Sequence, residues 1–507
     1  MSTLASAAEA ADRLSPNLDP WSLARELSGS HLIGGKLVPA ASGRTFEVRY
    51  PATLEKVGEA AYGEAEDVAA AVEAAATAQK AWARTPARER GRLVGACARL
   101  LEAHKEELAR LMALETGKAL RTESRVEAGV LADAFAFFGG LASELKGETV
   151  PFSPDMMTMT VREPIGVVGA IIPWNVPMML MAYKIAPALV AGNAVVVKSA
   201  EEAPFAVLRV CQLMNQVLPA GLFNILSGYG PECGQPLVTH PKVGKISFTG
   251  SVETGRLIYK AAADKLIPVT LELGGKSPMI VMADADLDKA VAGAVSGMRF
   301  TRQGQSCTAA SRIYVQAAVH DRFVEAVKAK VDALVMGDPL DEKTDIGTIV
   351  SLQQFDRVTG YIDRGRSEGG RAHECSALPA GDAKLKEGYF VRPVIFTDLP
   401  RDSRLIREEI FGPVTCVVKF DGFEEALEQA NDSEYGLAAT IWTKDLKTGL
   451  DGARRLEAGF VQVNQNLVVM PNLSYGGVKA SGLGKEATLE AMLEHFTHKK
   501  TIIVNLE

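Results

Sequence analysis

The chain has 507 residues, 47% of them hydrophobic and 23% charged, which is enough to bury large cores and to fill two or three domains. Its formal net charge of -7 offers no global attraction for nucleic acid or an anionic membrane, so neither is expected as a partner. Six scattered cysteines form no C-x-x-C pair and seven histidines no H-x-x-x-H pair, which argues against a metal site and a disulfide framework.

The first residues, "MSTLASAAEAADRLSPNLDP", carry Glu9 and Asp12 and no continuous apolar run, unlike a secretory signal or a transit peptide; a reducing cytoplasm is the expected location. Residues 66 to 145 have Ala, Leu, Glu and Arg at helical spacing and read as successive amphipathic helices. An extended segment, "TVPFSPDMMTMTVREP", follows. Ile165 to Val197 carries one charge, Lys184, and is longer than a membrane span requires. Pro173, Pro177, Pro187, Asn175 and Asn193 interrupt it, however, leaving strand, turn, helix and strand: a buried β-α-β unit. From 165 to 283 the runs "GVVGAII", "AVVVK", "FNILSG", "KISFTG", "PVTLELGG" and "PMIVMA" alternate with helical stretches, the pattern of a doubly wound parallel sheet. From about 284 to 475 the alternation repeats with "SRIYV", "PVIFTDL", "VTCVVKF", "AATIWT" and "GFVQVN". Two α/β domains are expected. "SALPAGDAKLKEGYF" reads as an exposed loop, and the closing "THKKTIIVNLE" as a strand that pairs with the 149 to 162 segment or with another subunit.

Nucleotide signals are individually weak. "SGYGPECGQ" spaces Gly228, Gly230 and Gly234 one residue too widely for G-x-G-x-x-G. "KISFTGSVETGRL" puts Ser251 at a helix N-cap, where free N–H groups suit a pyrophosphate, though a plain strand-turn-helix connection explains it as well. "AVVVKSAEE" places Lys198 and Glu201 at the carboxyl end of a strand; a carboxylate there accepts from ribose hydroxyls and repels a 2'-phosphate, favouring NAD over NADP.

"RFTRQGQSCTAASRIYV" contains Cys307. A thiol near pKa 8.5 needs activation, and no protease-like signature surrounds this one. "PWNVP" offers Asn175 as an oxyanion donor, and "LELGG" offers Glu272 as a base whose pKa burial would raise. Taken singly, Asn175 is equally a turn residue and Glu272 a strand-end surface carboxylate.

In order along the chain, "PWNVP", "VVVKSAEE", "ISFTGS", "LELGGKSP", "GQSCTA", "EEIFGP" and "SYGGVKASGLGKE" resemble the signature segments of the aldehyde dehydrogenase superfamily. The resemblance implies two Rossmann-like domains, one from 1–146 with 165–275 and a catalytic one from 276–475. It also implies oligomerisation segments at 147–164 and 487–507, and a homodimer or homotetramer. Cys307 matches the thiol that attacks the aldehyde, and Asn175 the amide that stabilises the oxyanion with the Cys307 N–H. Glu272 matches the base that activates water against the thioester, and Lys184 and Glu486 match polar positions assisting proton transfer. For the cofactor, NAD, the resemblance implies Lys198 and Glu201 at the adenine ribose, Ser251 at the pyrophosphate, Glu409 and Phe411 at the nicotinamide ribose, and Trp174, Gly230 and Gly274 in the pocket.

The substrate tunnel implied is lined by Val176, Met179, Leu180, Tyr183, Phe300, Thr301, Ser306, Thr308 and Tyr475, with the 465 to 475 loop at its mouth. Its mostly apolar walls fit an aliphatic or aromatic aldehyde. Three departures stand out: Ser-Ala after Lys198 where Pro-Ser is usual, "SYGG" for "PFGG", and Thr301 and Arg302 in place of an aromatic and an asparagine. Arg299 and Arg302 read as outward-facing structural charges; either one pointing inward would suit a carboxylate-bearing semialdehyde. A CoA-acylating enzyme is the other alternative, but such enzymes generally lack a base at the position of Glu272. A non-catalytic protein of this fold is disfavoured by retention of Cys307, Asn175 and Glu272. "DADLD" at 284 to 288 lacks the glycine and glutamate of a calcium loop and reads as a helix N-terminus, and the methionines between 156 and 181 as core or interface filler.

Overall fold

The computed structural model describes residues 15–379, 383–466 and 469–507. Residues 1–14 of the N-terminal reading, 380–382 of the expected exposed loop and 467–468 of the expected tunnel mouth lie outside the described residues. Two mostly parallel sheets with helices packed on them, and a separate two-stranded ribbon, make up the α/β architecture.

The first sheet has eight strands in the spatial order Lys36–Val38, His31–Ile33, Phe223–Leu226, Ala194–Lys198, Val167–Ile171, Val243–Thr249, Val269–Glu272 and Gly482–Leu483. The run "AVVVK" is buried along its whole length, as expected of a strand covered on both faces. It lies parallel to Val167–Ile171, and between the two runs the helix Pro177–Ala191, begun by a proline and ended by Gly192 at φ 100°: the apolar stretch is a β-α-β unit. Register aligns Ile171 with Lys198 and with Phe248, and Thr249 with Glu272, so these strands end together along one edge.

The second sheet runs Arg371–Glu374, Val394–Thr397, Val414–Phe420, Arg312–Gln316, Pro278–Val281, Ala438–Trp442 and Phe460–Val463. "PMIVMA", grouped above with the first set of runs, belongs here instead: Pro278–Val281 pairs with Arg312–Val315 on one side and, through Met279–Val281, with Thr440–Trp442 on the other. The first sheet gains edge strands that the alternation did not reveal, from residues 31–38 and 482–483. Thr497–Asn505 pairs antiparallel with Met156–Pro164 over nine positions, so the closing strand finds the 149 to 162 region within its own chain.

Helices Ala65–Arg84, Ala87–Ala103, Lys105–Thr116 and Arg125–Gly140 occupy the segment read as amphipathic helices. Among the described residues one helical stretch, Leu120–Glu144, is long and apolar enough to cross a membrane by length and composition. Its charges are paired within the fold, Glu123 with Arg302, Arg125 with Glu106 and Glu127 with Lys118, and Arg125–Gly140 packs on Ala87–Ala103 and Pro177–Ala191.

Candidate active site

The common edge of the first sheet brings together residues far apart in sequence. Past Ile171 the chain turns through Trp174 and Asn175, and past Glu272 through Gly274 and Gly275. Against this edge lies the loop carrying Cys307. A Cβ on Gly275 would run into the Cys307 carbonyl oxygen, and Gly304, at φ +62°, has no room for one beside the Gly412 carbonyl. Gln305 fixes the loop, donating to Thr348 O at 3.3 Å and accepting from Val350 N–H at 3.1 Å.

Cys307 is half-buried, whereas the other five cysteines are buried. Its Sγ lies 3.3 Å from Tyr475 Oη. Burial pushes the thiol up to about 11, while the Tyr475 hydrogen bond pulls the other way. The Cys307 N–H has no protein acceptor among the described residues. Asn175, 4% exposed, donates one amide hydrogen to Gln305 O at 3.2 Å and retains the other. A free N–H and a free amide hydrogen on the two sides of the thiol loop are what an oxyanion would need.

Glu272 ends its strand at 3% exposure, and neither carboxylate oxygen has a protein partner. Burial raises its pKa well above the usual range, and the charge of Glu486 adds to the effect. Lys184 Nζ bonds Glu486 Oε1 at 2.7 Å in the interior, and the same oxygen accepts from the Ser247 hydroxyl at 3.0 Å. Tyr475 and Glu486 exchange backbone hydrogen bonds of 3.1 and 2.7 Å. A chain of direct contacts thus runs from Cys307 through Tyr475 and Glu486 to Lys184, and Glu272 adjoins it across Gly476.

Three further residues organise the site without a sequence signal. Lys118, buried and ion-paired with Glu127, donates to the backbone carbonyl of Asn175 at 3.0 Å. Glu127 Oε1 accepts from the N–H groups of Met178 at 2.8 Å and Met179 at 3.4 Å, the first turn of the helix that also carries Lys184. Glu123 takes the Thr301 hydroxyl on Oε1 and Arg302 Nε, at 2.8 Å, on Oε2. This corrects the outward-facing reading of the arginines. Arg302 turns inward because Glu123 supplies a buried counterion; burial opposes its charge, but the carboxylate outweighs it and lifts the pKa. Arg299 is likewise half-enclosed, with Nε buried and unpartnered.

The cofactor candidates fall along the same edge. Lys198 Nζ is 3.3 Å from Glu201 Oε2, which keeps about a third of its side-chain surface exposed. Ser251 caps the helix Val252–Lys265, accepting from Thr254 N–H at 3.2 Å, and the N–H groups of Val252 and Glu253 have no protein acceptor. Gly230 is exposed at the head of a five-residue π turn. Glu409 accepts from Gly275 N–H at 2.8 Å; burial raises it to about 7, and a Cβ on Gly274 would collide with its carboxylate. Trp174 and Phe411 meet edge to face at 5.3 Å, Phe411 in a left-handed backbone conformation. Ribose-accepting carboxylates, free helix N-terminal donors and an aromatic pair in this order fit a dinucleotide laid along the strand ends.

Of the tunnel candidates, Val176, Leu180, Tyr183 and Phe300 are buried and Met179 half-buried. Thr301 is committed to Glu123, and Ser306 Oγ lies 3.3 Å from Thr308 Oγ1. Thr308 also borders a small space between the second-sheet strands, with Pro278, Ala438 and Thr440.

The family model described as "Aldehyde dehydrogenase family" matches residues 37–502. The chain is similar to a phenylacetaldehyde dehydrogenase from Pseudomonas fluorescens, 42% identical with 93% of this chain and 95% of that one covered. It is also similar to a betaine aldehyde dehydrogenase from Rhizobium johnstonii, 40% identical over 94% and 97%. The NAD+ complex of an aldehyde dehydrogenase from Bacillus cereus superposes with a TM-score of 0.91 at 37% identity, covering 95% of this chain and 97% of that one.

Proposed function

Since the chain belongs to the aldehyde dehydrogenase family, we propose that it oxidises an aliphatic or aromatic aldehyde to the carboxylic acid, with NAD as acceptor and Cys307 as nucleophile. The observation that carries this reading is the convergence on one thiol of a hydroxyl contact from Tyr475, an unused N–H, a spare amide hydrogen of Asn175 and a buried carboxylate, Glu272.

In the acylation half, the Cys307 proton leaves toward Glu272 while the Tyr475 hydroxyl stabilises the thiolate, and the sulfur bonds the aldehyde carbon. The Cys307 N–H and the Asn175 amide hold the oxyanion of the resulting thiohemiacetal. NAD, when bound, supplies the acceptor for the hydride that leaves this carbon; Lys198, Glu201, Ser251, Glu409, Trp174 and Phe411 are the residues that would hold it. In the hydrolysis half, Glu272 takes a proton from water, which attacks the Cys307 thioester, and the thiol is released as the acid departs. Lys184 and Glu486 receive the proton passed on by Glu272. In sum, aldehyde, water and NAD+ become carboxylate, NADH and two protons.

The presence of Glu272 favours water over CoA as the acyl acceptor, and the half-exposed carboxylate of Glu201 favours NAD over NADP by repelling a 2'-phosphate. The apolar side chains exposed on and beside the ribbon, among them Phe152, Met157 and Ile503, support association into a homodimer or homotetramer. A reducing compartment such as the cytoplasm suits an accessible catalytic thiol.

Absorbance of NADH during incubation with an aldehyde panel, NAD or NADP, and with or without CoA tests the reading. Turnover with NAD alone is expected, and its loss in Cys307→Ala. Undiminished turnover by Cys307→Ala refutes the mechanism, and an absolute requirement for CoA would replace hydrolysis with acyl transfer.

A further inference from the structure

Two arginines and one carboxylate meet in the wall beside the thiol. Arg299 and Gln303 both adopt the left-handed conformation, at φ 54° and 56°, and bracket the single turn Phe300–Arg302. That turn delivers Thr301 and Arg302 onto Glu123, one to each oxygen. Glu123 has then spent its forward acceptors, and no acceptor among the described residues lies within hydrogen-bond reach of the Arg299 guanidinium, whose Nε is buried without a partner. The side chain is nevertheless not sealed off, since Arg299 as a residue is only half-buried. It lies within electrostatic range of Cys307 and Tyr475 as well as of Arg302 and Glu123.

We propose that Arg299 selects aldehydes whose far end carries a carboxylate, an inference that rests on the catalytic reading above. A guanidinium withdrawn from water and left unmatched is costly, and the cost is recovered only if the ligand brings an anion. The planar fork of arginine matches a carboxylate with two parallel hydrogen bonds. Burial and the neighbouring Arg302 lower its pKa to about 10, which still leaves it charged at neutral pH. Arg302 does not compete for the substrate because Glu123 neutralises it, and Lys118 is likewise neutralised by Glu127. Val176, Met179, Leu180 and Phe300 supply apolar contact for the carbon skeleton between the two ends, so the aliphatic or aromatic body proposed above is kept and its terminus is specified.

The test measures kcat/KM for matched pairs: glutaric semialdehyde against pentanal, and terephthalaldehydic acid against p-tolualdehyde, with betaine aldehyde as a cationic member. The wild-type enzyme is expected to favour the acid of each pair by about 10- to 100-fold, the worth of a charge-assisted hydrogen bond, and to use betaine aldehyde least. Arg299→Met should collapse that ratio toward one, and Arg299→Lys should restore part of it. A wild-type enzyme that prefers the neutral partner, or an Arg299→Met variant that loses both substrates equally and keeps the ratio, overturns the proposal. Oxidation of the neutral aldehydes through Cys307 without any preference sinks this inference alone. No NADH from any member of the panel sinks the catalytic reading itself.

Discussion

Replacing Lys118 with methionine isolates the support of the oxyanion donor from the donor itself. The substitution keeps side-chain length but removes two contacts: the hydrogen bond to the Asn175 carbonyl, 3.0 Å, and the ion pair with Glu127. Both side chains are about 3% exposed or less, so Glu127 would be left as a buried carboxylate whose remaining partners are the Met178 and Met179 N–H groups. Breaking a buried pair from one side costs about 3–5 kcal/mol. For catalysis, complete loss of an oxyanion donor costs about 10²–10³ in kcat. Asn175 keeps its bond to Gln305 and loses only its backbone anchor, so a fall in kcat of about ten-fold, with a smaller change in KM, is expected. Thermal scans and steady-state kinetics read the two effects, and the double variant Lys118→Met/Glu127→Gln separates them. It removes the stranded charge while its amide oxygen still accepts from Met178, so stability should largely return and kcat should not. A Lys118→Met enzyme with wild-type kcat, or a double variant that recovers rate together with stability, would show that the pair merely fills space.

Glu272→Gln should slow steady-state turnover by about 10²–10⁴ yet preserve an initial burst of NADH, seen by stopped flow; a missing burst would place Glu272 in acylation alone. In the wild type, turnover should climb with pH, because the base must ionise and its pKa is raised. The stability effect has the opposite sign: the folded-state pKa lies above the unfolded value, so stability is lost as pH rises from about 4.3 toward the folded pKa. Glu272→Gln should therefore match the wild type in Tm near pH 4 and exceed it increasingly toward pH 8, and equal Tm curves would contradict the burial argument. Tyr475→Phe removes the hydroxyl 3.3 Å from Cys307 Sγ, a bond worth about 1 kcal/mol, so iodoacetamide should alkylate Cys307 about five-fold more slowly at pH 8; an unchanged rate would mean the contact does not stabilise the thiolate.

Cys307, Asn175 and Glu272 were legible because each occupies a turn or strand end whose flanking glycines and prolines mark it as a place where backbone approaches backbone. The β-α-β unit was legible for a similar reason, since buried parallel strands show as unbroken β-branched runs. Lys118, Glu123 and Glu127 were not, because charges at helical spacing ordinarily face water and nothing local distinguishes those that do not. The direction of Arg302 depends on a partner 179 positions away, and the strand Gly482–Leu483 reaches its edge of the first sheet only through the tertiary fold. Pairings of that range leave no periodicity in the chain.

The stretch from Tyr475 to Glu486 contributes the hydroxyl on the thiol, the counterion of Lys184 and an edge strand beside Glu272. Synthesis proceeds from the N-terminus, with domains generally folding in that order. A growing chain therefore carries Cys307, Asn175 and Glu272 well before the segment that connects them exists. Until then the thiol lacks its hydroxyl neighbour and Lys184 its carboxylate. The enzyme acquires chemical competence at the end of translation, and any message truncated upstream of Tyr475 yields a chain with the nucleophile but no finished site.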